Sequence, residues 1–239
     1  RRLRNLRHEL ALLGTVILLT QITFGVAFAA GARQGVRTLY LVRHGIYDQD
    51  DPRDEFTGKG LLPLGREQAQ KVAQRLAAMP SGVDAVYSSD MTRARETAEI
   101  IAAALPGRAV HLEPGLRECT PPTPRADIMK DLRPGEADSC AARLDQTVAR
   151  FFAPSPEADS SVVLVCHGNL IRYCVCRALG ADPRLWLSMA IVHCSLTVIQ
   201  VRPDGTTRLV AFDDVGHLPP DLQTFGPQAR MFPGPPRKR

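Results

Sequence analysis

Two histidines stand at the ends of apolar runs, each followed by glycine: Leu41-Val42-Arg43-His44-Gly45 and Val165-Cys166-His167-Gly168. A neutral imidazole is a competent covalent nucleophile, and a ring N–H is a hydrogen-bond donor at neutral pH. A third run ends in Ser88-Ser89-Asp90-Met91-Thr92-Arg93. Arg93 falls in the first turn of the helix predicted there, where a cation opposes the helix dipole unless an anion lies between them. Leu116-Arg117-Glu118 supplies a carboxyl group able to give up a proton and take one back. Each motif alone has little specificity. Together they describe one chemistry, phosphoryl transfer without a metal. Arg43, Arg93 and His167 would neutralise the equatorial oxygens, His44 would attack, and Glu118 would protonate the leaving oxygen and then activate water. The candidate catalytic residues are therefore His44, Glu118 and His167, with Arg43, Arg93 and His167 as phosphate binders. Gly45, Gly168, Asn169 and His193 are candidate pocket residues. No carboxylate cluster of metal-ligand spacing lies near these motifs, so neither a metal nor another cofactor is expected.

Such residues need strands to bring them to one edge. Residues 38–43 and 161–166 are continuous apolar runs, as fully buried strands require, and 83–88 and 109–112 read as two more. Helices are predicted from Pro63 to about Ala78, from Met91 to Leu105 ahead of Pro106-Gly107, up to Phe152, and from Gly168 to Leu179. Residues 194–202 and 206–212 read as a hairpin, and Cys119–Gly135, rich in proline, as a loop. Strands alternating with helices predict a three-layer α/β/α fold with a mainly parallel central sheet. Ligands of such sheets bind beyond the carboxyl ends of the strands, which is where both histidines fall.

In order along the chain, Arg43-His44-Gly45, Ser88-Ser89 with Arg93-Ala94 and Thr97, Leu116-Arg117-Glu118 and His167-Gly168 resemble the histidine-phosphatase, or phosphoglycerate-mutase-like, superfamily. Within it the chain most resembles the mitochondrial serine/threonine-protein phosphatase group, the fifth phosphoglycerate-mutase family. That likeness rests on Pro63-Leu64-Gly65-Arg66-Glu67-Gln68-Ala69, Ile171-Arg172-Tyr173 and Arg202-Pro203 with Gly205. The resemblance implies phosphomonoester hydrolysis through a phosphohistidine, with phosphoserine and phosphothreonine proteins as substrates. A small phosphomonoester is the alternative substrate, a mutase the alternative enzyme, and a non-catalytic phospho-ligand scaffold the alternative class. Against a mutase, only 48 residues separate Glu118 from His167, and their proline-rich first part does not suggest a substrate-enclosing insertion. Against a scaffold, the full set of reactive residues is present. Where the group carries Ser after the first histidine and Ala after the second, this chain has Gly45 and Gly168, and Leu62 replaces a helix-capping Ser or Thr. His193-Cys194-Ser195 stands where the group has Asn-Gly-Ser. The group's Trp-Asp-x-Asn-Trp-Asp assembly motif has no counterpart, so multimer regulation by that route is not expected. A homodimer is one assembly open to the chain.

The net charge of +5 comes from the ends: between them lie 21 basic and 24 acidic residues, with Arg33 set aside in the linker. A nucleic-acid binder would carry its basic patch in the folded domain, so no nucleic-acid partner is expected. Residues 10–30 are an uncharged run behind a flank of four arginines. The run could span a bilayer or serve as a signal peptide cut near Ala29 or Ala32. Residues 1–30 are accordingly a membrane segment or signal peptide, 31–37 a linker, 38–220 the phosphatase domain and 221–239 a proline-rich basic tail. The expected location is anchored or exported: a mitochondrial membrane in a eukaryote, the periplasm or inner membrane in a bacterium. The six cysteines show no framework spacing and are expected as free thiols. His111 and His217 are expected to be structural or superficial.

Overall fold

The computed structural model describes residues 34–226. Residues 1–33, which include the apolar run 10–30 and the first three residues of the linker, and the last 13 residues lie outside the described part. Among the described residues no helix is long and apolar enough to cross a membrane.

The core strand β1 (Arg37–Arg43) alternates its side chains between the two faces of a six-stranded sheet. Leu39 and Leu41 point to one face, Tyr40 and Val42 to the other, and each set heads a separate apolar cluster. On the Tyr40 side pack α1 (Pro63–Ala77) and α2 (Thr92–Ala103), through Ala69, Val72, Leu76, Ala94, Ala98 and Ile101. On the Leu39 side pack α4 (Glu136–Phe151) and α5 (Gly168–Ala178), through Leu144, Val148, Leu170, Ile171 and Val175. A four-residue helix, α3 (Ala126–Met129), interrupts the loop expected there. Two apolar faces sandwiched between helices give the three-layer α/β/α fold. Burying one of the fully enclosed leucines contributes about 1.5–3 kcal/mol, so both faces must be covered for the sheet to persist.

The remaining strands are β2 (Ala85–Ser88), β3 (Val110–Leu112), β4 (Ser160–Cys166), β5 (Leu196–Val201) and β6 (Thr207–Asp214), in the order β3-β2-β4-β1-β5-β6. The first four in that order are mutually parallel, and β5 runs antiparallel to both neighbours. The register decides function. Arg43 on β1 is paired with Cys166 on β4, and Ser88 on β2 with Val165. The residues that follow, His44, His167 and Ser89, therefore leave the sheet at one level. Two bonds extend the ladder by one step: the His44 N–H donates to Cys166 O at 3.0 Å, and the Ser89 N–H to Val165 O at 3.0 Å.

Two expectations are corrected here. Cys119 and Cys140 form a disulfide across a Cα–Cα distance of 5.8 Å, while Cys166, Cys174, Cys176 and Cys194 are free and buried. The sequence spacing of 21 residues gives no hint of that pairing, because the packing of α4 against the Glu118 segment sets the distance. The start of the tail is also part of the domain: Leu222, Gln223 and Thr224 are buried. The Gln68 amide holds them, donating to Leu222 O at 2.6 Å and to Thr224 Oγ1 at 2.8 Å. Trp186 ties down the proline-rich loop, its Nε1 lying 3.2 Å from both Pro121 O and Pro122 O.

Candidate active site

His44 is the centre of the site and is buried. Its ring lies 5.0 Å from that of His167, 5.6 Å from that of His193 and 5.2 Å, edge-on, from Tyr47. Nδ1 sits 2.8 Å from the carbonyl oxygen of Gly45. A carbonyl can only accept, so Nδ1 carries the ring proton and Nε2 keeps a lone pair. The Arg93 Nε–H, 3.2 Å away, donates to that Nε2. Gly45 allows this turn because its backbone crosses that of Gly65 so closely that a Cβ on Gly45 would lie 2.5 Å from Gly65 O. The Gly45 N–H in turn donates to Thr97 Oγ1 at 3.1 Å, which explains the use of Thr97 within the α2 motif.

Arg93, His167 and His193 lie directly against this ring. Arg93 is buried, forms an ion pair with Glu55 and stacks over Tyr47 with its Cζ 4.5 Å from the ring centre. Arg43 reaches Ile191 O with Nη1 at 2.6 Å. His167 is the residue that precedes α5, and it places Nε2 2.9 Å from Ser89 Oγ. Glu118 accepts from the Cys119 N–H at 3.2 Å and, with its other oxygen, from the Asn169 N–H at 3.4 Å. Asn169 also donates its side-chain amide to Cys119 O at 3.0 Å, so it supports the carboxylate. Gly168 lies beside the guanidinium, and a Cβ there would make only ordinary contact with it, 3.7 Å from Arg43 Nε. His193 is fully buried, with Nδ1 2.8 Å from Thr224 Oγ1. It enters because the next residue, Cys194, adopts φ +54° and turns the chain. That is a conformation glycine takes most easily, and it accords with the glycine the resembling group has there.

Burial and like charge set the electrostatics. Desolvation, then the neighbouring His167 and Arg93, holds His44 well below the usual imidazole value. Desolvation, Arg93 and Arg43 do the same to His167, and desolvation and Arg43 to His193. Burial brings Arg43 down to about 10 while Glu118 pulls the other way. The Glu118 carboxyl is raised by burial, against the pull of Arg43. Arg43 Nε, His167 Nδ1 and His193 Nε2 are buried with no hydrogen-bond partner among the described residues. An unpaired buried donor costs about 1–3 kcal/mol, and the oxygens of a tetrahedral anion would relieve it. Among the described residues no group of three or more His, Cys, Asp or Glu could hold a metal ion.

Several participants escape sequence reading. Glu55 and Tyr47 lie on the β1–α1 connection, residues 44–62, which returns over Arg93, and Asp213 anchors the His193 segment by accepting from the Val192 N–H at 2.8 Å. None belongs to a recognisable local motif. Of the other histidines, His111 is exposed beside Tyr87, with ring centres 5.4 Å apart. His217 points its Nε2 to Cys194 O at 2.9 Å, behind the site.

The description "Histidine phosphatase superfamily (branch 1)" fits residues 39–121 and 127–214, which takes in every motif above. The chain belongs to the histidine phosphatase superfamily. Among its curated relatives, the mitochondrial serine/threonine-protein phosphatase Pgam5 of Caenorhabditis elegans is 39% identical over 194 residues, covering 79% of this chain and 66% of that protein. The Xenopus tropicalis protein of the same name is 35% identical over 191 residues, covering 79% and 68%. The chain thus spans about two thirds of the length of these relatives. Of solved structures, the phosphoglycerate mutase of Plasmodium falciparum superimposes with a TM-score of 0.54 at 28% identity, over 77% of this chain and 95% of that one.

Proposed function

We propose that this histidine phosphatase hydrolyses phosphomonoesters through a phosphohistidine on His44, and that its substrates are phosphoserine and phosphothreonine proteins. The observation that carries the reading is the state of His44. Its Nε2 carries a lone pair, which accepts from the Arg93 Nε–H in the free protein, because the Gly45 carbonyl fixes the ring proton on Nδ1, and burial among cations keeps the ring neutral. Arg43, Arg93 and His167 bind the three equatorial oxygens. Nε2 attacks phosphorus, the bond to the leaving oxygen breaks, and Glu118 gives that oxygen a proton. In the second half water attacks phosphorus, the P–N bond breaks and its electron pair returns to Nε2, and Glu118 recovers a proton from the water. A carboxyl held above its ordinary value suits this alternation. The choice of protein substrates rests on the names of the curated relatives, which are serine/threonine-protein phosphatases. Those names also say mitochondrial, and a mitochondrial location with residues 10–30 as membrane anchor or delivery segment fits this chain.

The test is the full chain assayed on phosphoserine and phosphothreonine peptides beside a panel of phosphorylated metabolites. The proposal expects the peptides to give the higher kcat/KM. Higher kcat/KM for a metabolite, or dependence on a bisphosphorylated primer as a mutase requires, would overturn it.

A further inference from the structure

Glu118 follows a single 3-10 turn, Pro114–Leu116, and lies on no regular element. A proton donor must stand within about 2.6–3.2 Å of the leaving oxygen, and about 1 Å of misplacement can cost about 100-fold in rate. Something outside that segment must therefore hold it.

Three residues of α4 do so, and they form one stripe. Cys140, Arg143 and Thr147 are spaced by three and then four residues, so they share a helix face. Arg143 Nη1 lies 2.8 Å from the carbonyl oxygen of Gly115 and 3.0 Å from that of Arg117. The second of these belongs to the peptide unit that joins Arg117 to Glu118. Thr147 Oγ1 lies 3.1 Å from the same Gly115 oxygen. On the other side of Glu118, Cys119 is bonded covalently to Cys140. The residue before Glu118 and the residue after it are thus both fastened to one helix. That helix is itself fixed, because Leu144, Val148 and Phe151 are buried in the core.

We infer that Arg143 and the Cys119–Cys140 disulfide position the backbone that carries Glu118, beside the support Asn169 gives its carboxylate, and that α4 thereby sets the strength of general-acid catalysis. The inference rests on Glu118 being the general acid. Arg143 touches neither phosphorus nor the leaving group and acts only through the segment it pins. Hydrogen bonds from a guanidinium to carbonyl oxygens fix direction as well as distance, and the disulfide removes the freedom of the segment to swing outward.

A merely structural role would lower thermal stability and leave the leaving-group dependence alone, so that dependence is the readout. The full chain is assayed on phosphomonoesters ranging from an activated nitrophenyl ester to an alkyl ester, as wild type, Glu118→Gln, Arg143→Met, Arg143→Lys and the double change Cys119→Ser with Cys140→Ser. Loss of general-acid catalysis costs about 100- to 10,000-fold where it is needed. The expected partial loss for Arg143→Met and for the double serine protein is about 10- to 100-fold in kcat on the alkyl ester and under about threefold on the activated ester. Arg143→Lys should recover part of it, because an ammonium can serve one of the two carbonyls. If Glu118→Gln is selective for poor leaving groups while Arg143→Met and the double serine protein lose equally on all esters, the positioning inference is wrong and the acid stands. If Glu118→Gln itself loses equally on all esters, the acid assignment falls first and the inference with it. Should Arg143→Met not fold, the double serine protein decides alone, since it leaves Arg143 in place.

Discussion

Acidification is expected to destabilise the free protein steeply, and the pocket is the cause. His44, His167 and His193 are each held well below the ordinary imidazole value, by burial first and by neighbouring cationic or imidazole groups second. In the folded protein they stay neutral, while in the unfolded chain each takes up a proton near pH 6.5 or about that. The folded values are depressed, so the unfolded state binds more protons. Stability is therefore complete above the unfolded value and is lost as pH falls through it. From about pH 6.5 to about 5.5, each unfolded imidazole contributes about 1 kcal/mol of loss, hence about 3 kcal/mol for the three. Glu118 has the opposite sign: its carboxyl is raised, so the folded state gains a proton that the unfolded chain does not. If it titrates in this interval the net loss falls to about 2 kcal/mol. For a domain of this size that is a fall in Tm of about 5–10 °C. Thermal unfolding followed by circular dichroism at constant ionic strength measures it. His193→Asn should remove about a third of the pH dependence, whatever it does to stability at neutral pH. A Tm that is flat or rises between these pH values, or an unchanged slope in His193→Asn, would mean that the pocket imidazoles already carry protons, and the neutral-nucleophile reasoning would fail.

Gly45→Ser should cost about 1–3 kcal/mol in urea unfolding, because its Cβ would lie 2.5 Å from the Gly65 carbonyl oxygen and only backbone can yield. Gly168→Ala should be neutral in the same assay, its nearest neighbour being 3.7 Å away; equal costs at the two positions would contradict the geometry. Glu55→Gln should tighten inhibition by inorganic phosphate about two- to fivefold, since the half-exposed Glu55 carboxylate now occupies Arg93; a weaker inhibition constant would show that Glu55 instead holds Arg93 ready. Activity on an aryl phosphate should survive EDTA, because Arg43 and Arg93 supply the charge around the phosphoryl group; loss on chelation and recovery with a divalent ion would count against the proposal.

The parts of this architecture that were legible in the sequence are those written locally. β1 and β4 are apolar runs that end in the two histidines, and Pro63 and Pro106-Gly107 mark helix ends within a residue or two of where they fall. The meeting of His44 with His167 follows from the parallel register of Arg43 with Cys166. The strand order makes that register possible, and only the general rule about carboxyl ends foreshadowed it. What stayed hidden depends on return paths of the chain. Glu55 lies 38 residues before Arg93 and reaches it only because the connection between β1 and α1 folds back. Proline content sets residues 221–239 apart as a tail, yet the buried Gln68 amide finds its acceptors there, at Leu222 and Thr224. Cys119 and Cys140 pair because α4 packs beside the Glu118 segment, which no spacing rule encodes. The entry of His193 is not written in the local sequence, because it depends on the positive φ of Cys194, a residue type that gives no sign of such a turn.

The central claim is that His44 Nε2 becomes phosphorylated. Rapid acid-free quenching of the full chain with a radiolabelled aryl phosphate, followed by peptide mapping, tests it directly. The account predicts acid-labile, base-stable phosphate on the peptide that contains His44, and neither label nor turnover in His44→Ala. Label on another residue, or turnover that persists in His44→Ala, would contradict it.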